Sequence, residues 1–191
     1  MAELIRCTWS GSDPVYVEYH DKEWGFPVRD DRRQFEFLVL ESAQAGLSWL
    51  TILKRREGYR RLYEDFDPEK VVHFDEKRIQ IMLQDTGIIR NRKKIESSIN
   101  NARRFLEIQE QYGSFCNYFW GFTDGKQVVN YYNDMSEITA TTPLSDTIAK
   151  DMKGRGFQFL GSTTLYAHMQ ATGLINDHLV RCFRHKECME H

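Results

Sequence analysis

Apolar positions recur at three- and four-residue spacing along most of this 191-residue chain, as expected of helices that each bury one face. Phe35, Leu38 and Val39 form such a stripe behind Asp30-Asp31, which opens a helix carrying Glu41. Gly46 breaks the pattern, since glycine costs about 1 kcal/mol relative to alanine inside a helix. Ser48 is then placed to cap a second helix over 48–63, with Lys54-Arg55-Arg56 as an exposed basic run. Upstream, Ser12-Asp13-Pro14 reads as a helix entry with proline in the first turn. Tyr16, Tyr19 and His20 would share one face of that helix. Downstream, Asp67-Pro68 marks a start, and helices are expected over 76–84, from Ile88-Ile89 through about 111, and over 114–122. Ser145 caps a helix to about 153, Thr163 begins another, and a last one spans 176–183 before a polar tail. Residues 126–140, rich in Val, Tyr, Asn and Thr, read as loop with short extended pieces. About nine helices and no regular strand pattern make the fold mostly α.

Composition adds bounds. Hydrophobic content of 41% with 28% charged residues describes an ordinary soluble domain. The length suits one large domain or one core with a small annex. No apolar run approaches the roughly 18 residues of a membrane span, and the first residues lack the apolar segment of a signal peptide. No membrane partner is expected, and the cytoplasm is the expected location. A net charge of -2 argues against nucleic-acid binding through bulk charge and leaves room for local basic patches. Four cysteines are too few for a disulfide framework in a chain this long, and read as thiols or metal ligands.

Three constellations carry candidate chemistry. Cys7 and His20 near one end, with His178 and Cys182 at i, i+4 on the last expected helix, offer a Cys2His2 set suited to tetrahedral zinc with no open position. His185, Cys188 and His191 are competing tail ligands, and two buried thiols with two surface histidines are the plainer reading. Leu83-Gln-Asp-Thr-Gly-Ile-Ile-Arg-Asn-Arg-Lys-Lys94 ends one helix, turns at glycine and opens another amid four cations. Helix-start amides and such cations hold phosphate, although a solvated basic face has the same composition. Trp9, Tyr16, Tyr19, Trp24 and Trp49 stand with Glu41 as walls and one carboxylate of a pocket for a flat, electron-poor base. Core packing explains each of them singly.

Five stretches together resemble a known family: Asp-Pro-Val-Tyr-Val-Glu-Tyr-His-Asp-Lys-Glu-Trp-Gly from Asp13, Gln-Ala-Gly-Leu-Ser-Trp from Gln44, Gly-Ile-Ile-Arg-Asn-Arg-Lys-Lys-Ile from Gly87, Arg-Gly-Phe-Gln-Phe-Leu-Gly from Arg155, and Met-Gln-Ala-Thr-Gly-Leu-Ile-Asn-Asp-His from Met169. The chain is similar to the 3-methyladenine DNA glycosylase I family of the helix-hairpin-helix superfamily. The resemblance implies a single glycosylase domain over 1–191, with a helix-hairpin-helix core at about 30–160. A structural zinc on Cys7, His20, His178 and Cys182 would tether segments 1–29 and 161–191. It implies Glu41, Tyr19 and Trp49 as catalytic base-pocket residues, with Trp9, Tyr16 and Trp24 lining or supporting that pocket. Gln44, Gly46 and Leu47 would probe the DNA stack, and Gly87, Arg90, Arg92, Lys93 and Lys94 would hold the backbone.

The implied substrate is double-stranded alkylated DNA and the product free 3-methyladenine. Hydrolysis would be monofunctional, without strand cleavage, and a monomer is the default. The hairpin reads Gln-Asp-Thr-Gly instead of the superfamily's usual Pro-Gly-Val-Gly. No aspartate follows it over 95–105, where Glu96 is the sole acid; both features suit this family. Two rivals share parts of the pattern. A zinc-held DNA-binding module gives no reason for an acid among aromatics, and a zinc hydrolase needs an open metal position.

Overall fold

The computed structural model describes residues 4–189, so His191 lies outside the described residues. Eleven α-helices form among them: α1 (Pro14–Lys22), α2 (Asp31–Gln44), α3 (Trp49–Leu53), α4 (Arg56–Leu62), α5 (Pro68–Val71), α6 (Glu76–Gln84), α7 (Arg92–Tyr112), α8 (Phe115–Gly121), α9 (Pro143–Gly154), α10 (Ser162–Ala171) and α11 (Arg184–Glu187). The architecture is mostly α, as expected. A two-residue strand β1 (Val128–Val129) pairs in parallel with β2 (Ile175–Asn176).

Helices α2 and α7 are the central pair. In α2 every residue from Gln34 to Ala43 is buried. In α7 the buried positions Ile95, Ser98, Ala102, Phe105 and Ile108 follow helical spacing. Asn91 caps α7 at its start and Gly113, at φ 81, ends it in the left-handed conformation glycine favours. Asp31 clamps α2 to α8, since its carboxylate accepts the Phe115 and Cys116 amides at 2.8 Å. Those amides belong to the first turn of α8, where no intrahelical acceptor exists. The large core gathers Phe35, Leu38, Tyr63, Phe66, Phe105, Phe115 and Phe119. A second cluster joins Cys7, Tyr19 and Trp24 to Phe37, Leu53, Leu179 and Cys182.

Three expected elements differ. The helix expected over 48–63 is two helices, and the basic run between them is not simply exposed. Lys54 pairs with Asp13 at 2.7 Å, while Arg56 is largely buried between Glu23 and Glu36, at 2.7 Å from each. The chain breaks so that α4 can aim Arg56 at these two acids. Thr142, not Ser145, caps α9; Ser145 closes the reciprocal capping box. The segment expected as a helix over 176–183 instead ends β2 and runs on as irregular loop to α11. Its Asn176 is fixed from both sides, donating to the His185 carbonyl at 2.8 Å and accepting the His178 amide at 3.2 Å.

A glycine pair seats the hairpin between α6 and α7. A Cβ on Gly58 of α4 would stand 2.2 Å from the Gly87 carbonyl oxygen. Gly87 was expected to allow a tight turn; its φ is not left-handed, and its role is this close approach. Gly58→Ala is expected to lower the thermal midpoint by roughly 2–10 °C, from an overpacking cost of about 1–3 kcal/mol. Thermal unfolding followed by circular dichroism checks this, and an unchanged midpoint would mean that the backbones do not touch.

Candidate active site

A cavity of about 330 Å³ opens between α1, α2, α3 and α10. Trp9, Tyr16, Tyr19, Trp24, Glu41 and Trp49 all line it, so the structure gathers the six pocket residues the sequence singled out. The rings pack edge-on and tilted: Trp9 lies 5.1 Å from Tyr16 and 4.9 Å from Trp24, and Tyr19 lies 5.6 Å from Trp49. Asp13 sets this up by capping α1 on the Val15 amide with Pro14 in the first turn, which turns Tyr16 and Tyr19 to one side.

Glu41 is 4% exposed and makes no hydrogen bond or ion pair with any described residue. Burial pushes its carboxyl up to about 8. Burial, and next to it the Glu41 charge, likewise raises the Tyr16 and Tyr19 phenols above their usual range. The indole N–H groups of Trp9 and Trp49 are buried and unpartnered too. The cavity is therefore lined by one unsatisfied acid, and two of its aromatic walls carry buried, unpartnered N–H groups. In a packed interior such an acid is normally bonded, and one left open at a cavity is available to a ligand.

Behind the pocket, Cys7, His20, His178 and Cys182 are all buried and offer ligand atoms within 4.8 Å of one another. His178 Nδ1 stands 3.5 Å from both sulfurs, and His20 Nε2 stands 3.5 Å from Cys182 Sγ. A tetrahedral zinc with legs of about 2.3 Å to sulfur and about 2.0–2.1 Å to nitrogen separates the two by roughly 3.6 Å, so the donor set fits. The far nitrogens are also fixed, as metal-bound imidazoles require. His20 Nδ1 meets Asp21 at 2.7 Å, and His178 Nε2 donates to the Trp24 carbonyl at 2.9 Å. His178 and Cys182 face each other through a loop, not along the expected helix. Cys188 is a buried free thiol and His185 bonds the Asn130 carbonyl, so neither belongs to a mobile tail and neither joins the group. Four protein ligands leave no open position for water.

The cluster and the cavity share walls. The His20 ring lies 5.3 Å from Trp9, and the His178 ring lies 4.5 Å from Trp24. A Cβ on Gly25 would stand 2.8 Å from His178 Cδ2, which leaves only glycine next to Trp24.

Gln44, Gly46 and Leu47 form the turn between α2 and α3 at the cavity's edge. Gly46 has φ 81, Leu47 is 37% exposed, and Ser48 caps α3 as expected. The hairpin residues divide. Arg90 and Lys93 are exposed and make no ion pair or hydrogen bond with a described residue. Arg92 is held by Glu76 and Glu96, and Lys94 bonds two backbone carbonyls of α2 and its cap. The Gly87 amide already donates to Asp85 at 2.8 Å. Glu96, the one acid after the hairpin, is spent on Arg92 and lies outside the cavity.

Sequence reading missed one wall. Thr163, Tyr166, Ala167 and Gln170 of α10 line the cavity at i, i+3, i+4 and i+7, a spacing that was readable. Buried Asp177 anchors that wall by accepting Tyr166 Oη at 2.5 Å and Gln170 Nε2 at 2.7 Å. Met135 and Ile138, from the segment read as loop, close the rim.

Comparison with known proteins agrees with this geometry. The methyladenine glycosylase family model matches residues 9–185. DNA-3-methyladenine glycosylase 1 of Escherichia coli is 45% identical over 179 residues, covering 94% of this chain and 96% of that protein. A 3-methyladenine DNA glycosylase I from Staphylococcus aureus, studied for its recognition of 3-methyladenine, superposes with a TM-score of 0.92 at 37% identity over the full length of both chains. A crystal structure of 3-methyladenine DNA glycosylase I gives 0.91 at 45% identity, covering 97% of this chain and all of that one. With a buried, unpartnered acid inside an aromatic cavity and kinship along nearly its whole length, the chain belongs to the methyladenine glycosylase family.

Proposed function

We propose that this protein is a monofunctional base-excision glycosylase that releases 3-methyladenine from alkylated double-stranded DNA and leaves an abasic site. The carrying observation is Glu41, an unpaired carboxyl buried at a cavity of base size. Methylation at N3 places a positive charge on the purine, so the base leaves as a neutral molecule and needs little acid assistance. A carboxylate beside it, with Trp49 and Trp9 stacking and Tyr19 adding a polar contact, favours that cationic ring over a normal one. The lesion must leave the base stack to reach a cavity walled in this way. Leu47, on its glycine turn, would fill the space left behind. Arg90 and Lys93, with the start of α7, would hold the phosphates in the manner of a helix-hairpin-helix.

The Cys7, His20, His178 and Cys182 set would hold zinc in a structural role, supplying cohesion between the terminal segments and no chemistry. No lysine lines the cavity among the described residues, so no amine stands ready for Schiff-base formation and strand cleavage. Among the described residues no helix is long and apolar enough to cross a membrane. Free cysteines among the described residues suit a reducing cytoplasm, and a monomer is the state we propose.

Incubation with methylated duplex DNA tests the reading. The expected result is free 3-methyladenine, with abasic sites that break only on later alkaline treatment. Binding without base release would favour a DNA-binding module instead.

A further inference from the structure

Lys94 stands in the first turn of α7 among the hairpin cations, yet its ammonium serves another element. It donates to the Ala43 and Ala45 carbonyls at 2.7 Å each, at the end of α2. The cap residue Ala45 donates no amide back into that helix. The intervening Gln44 carbonyl takes the Leu47 amide at 2.7 Å, and Gln44 Nε2 returns to the Leu47 carbonyl at 2.7 Å. Three successive carbonyls are thus satisfied, two of them by one lysine. A cation also suits the negative end of a helix. Beyond this anchor the turn has little support: a Cβ on Gly46 would meet nothing within 4 Å, and Leu47 is exposed.

We propose that Lys94 is a positioning residue that locks the Gln44-to-Leu47 turn to the hairpin helix, so that the element gripping the DNA backbone and the element entering the stack move as one body. The inference rests on the glycosylase reading above. Opening a base step costs a few kcal/mol, and a wedge can deliver that only if it is braced against the part holding the phosphates. Lys94 supplies the brace through two hydrogen bonds from a charged donor, each stronger than a neutral one. Arg90 and Lys93, without a partner among the described residues, are left for phosphate. Lys94 therefore acts through Leu47, and not through direct contact with DNA.

The test is a double-mutant cycle of Lys94→Met and Leu47→Ala, read as single-turnover excision from methylated duplex with enzyme in excess. Binding of free 3-methyladenine, followed by tryptophan fluorescence, serves as the control. Lys94→Met is expected to slow excision at least tenfold at saturating enzyme, to leave free-base binding within twofold, and to add little once Leu47 is already Ala. Lys94→Arg, which keeps donors for both carbonyls, is expected to recover much of the rate. If Lys94→Met unfolds the protein, Lys94→Arg decides: recovery requires near-native excision, and a tenfold loss in a folded, base-binding Lys94→Arg protein overturns the proposal. Multiplicative effects of the two substitutions would also overturn it. So would a loss that vanishes at saturating enzyme while the salt dependence of DNA binding falls by about one ion, since that is the mark of a phosphate contact. If the native protein itself releases no methylated base, the glycosylase reading fails first, and the cycle is then read in the native protein's DNA affinity.

Discussion

Glu41→Gln is expected to make the protein more stable and much less active. In the native protein the carboxyl is buried without a partner, and burial holds its proton to about 8; an unfolded glutamate releases it near 4.3. Between those values the folded state binds the proton more tightly than the unfolded state. Stability therefore falls as pH rises through that window and levels off above about 8. The full displacement corresponds to roughly 5 kcal/mol, most of which is already felt at pH 7. Glutamine carries no such cost, so the variant should unfold at a higher denaturant concentration than native protein at pH 8 and at nearly the same concentration at pH 4. Activity should move oppositely. A hydrogen bond to a charged group is worth about 1.5–3 kcal/mol, so excision under kcat/KM conditions should fall between tenfold and about a hundredfold. The native kcat/KM should also rise with pH toward about 8, as the free carboxyl ionises, and lose that dependence in the variant. At saturating DNA the rise should shift to lower pH, because the cationic base favours the ionised acid. A variant no more stable than native at pH 8, or one that excises at the native rate, would remove Glu41 from the site.

Such an acid cannot be recognised from its neighbours along the chain, and this marks the limit of local reading here. Several residues whose structure is set by their own few neighbours were declared by the sequence, although the α9 cap fell three residues early, at Thr142. Asp13-Pro14, Asp67-Pro68 and Ser48 cap helices as their types require, and Gly46 takes the left-handed turn. Reading failed where distant side chains decide. The stretch over 176–183 contains no glycine or proline and looks helical. Its backbone is instead set by β1, by the His185 carbonyl, and by three donors converging on Asp177 from Asn130, Tyr166 and Gln170. Arg56 reads as one cation of an exposed run until Glu23 and Glu36 are brought to it by α1 and α2. Gly58 looks like a weak point in a helix, and only the approach of Gly87 explains it. For the pocket, the concentration of aromatics early in the chain singled out Trp9, Tyr16, Tyr19, Trp24 and Trp49 beside Glu41, and the family resemblance gave Glu41, Tyr19 and Trp49 their roles. The α10 wall was missed because its contributions, Thr163, Tyr166, Ala167 and Gln170, look like an ordinary amphipathic face.

Stripping the proposed zinc, or replacing one of its candidate ligands by Cys182→Ser, is expected to abolish base binding before it unfolds the core. The four candidate ligands come from two segments more than 150 positions apart, and Trp9, Tyr16, Tyr19 and Trp24 all lie on the N-terminal one. The coupling is direct. His178 donates to the Trp24 carbonyl, and His20 packs against both Trp9 and Trp24. Without a cation, two sulfurs and the two imidazole nitrogens that face them stay buried with their strongest bonds missing, at a cost of several kcal/mol. For a domain of this size each kcal/mol moves the midpoint by about 2–4 °C, so a fall of roughly 10 °C or more is expected. The core around α2 and α7 is built from a separate cluster, and its helical signal should persist at temperatures where tryptophan fluorescence has already changed. Cys116→Ala is the control: that thiol is also buried but lies outside the ligand group, and its loss should shift the midpoint by only a few degrees while free-base binding stays intact. Metal analysis should return about one zinc per native chain and much less for Cys182→Ser. A stripped protein that still binds 3-methyladenine with native affinity would show that the pocket's aromatic wall holds its shape without the cluster behind it.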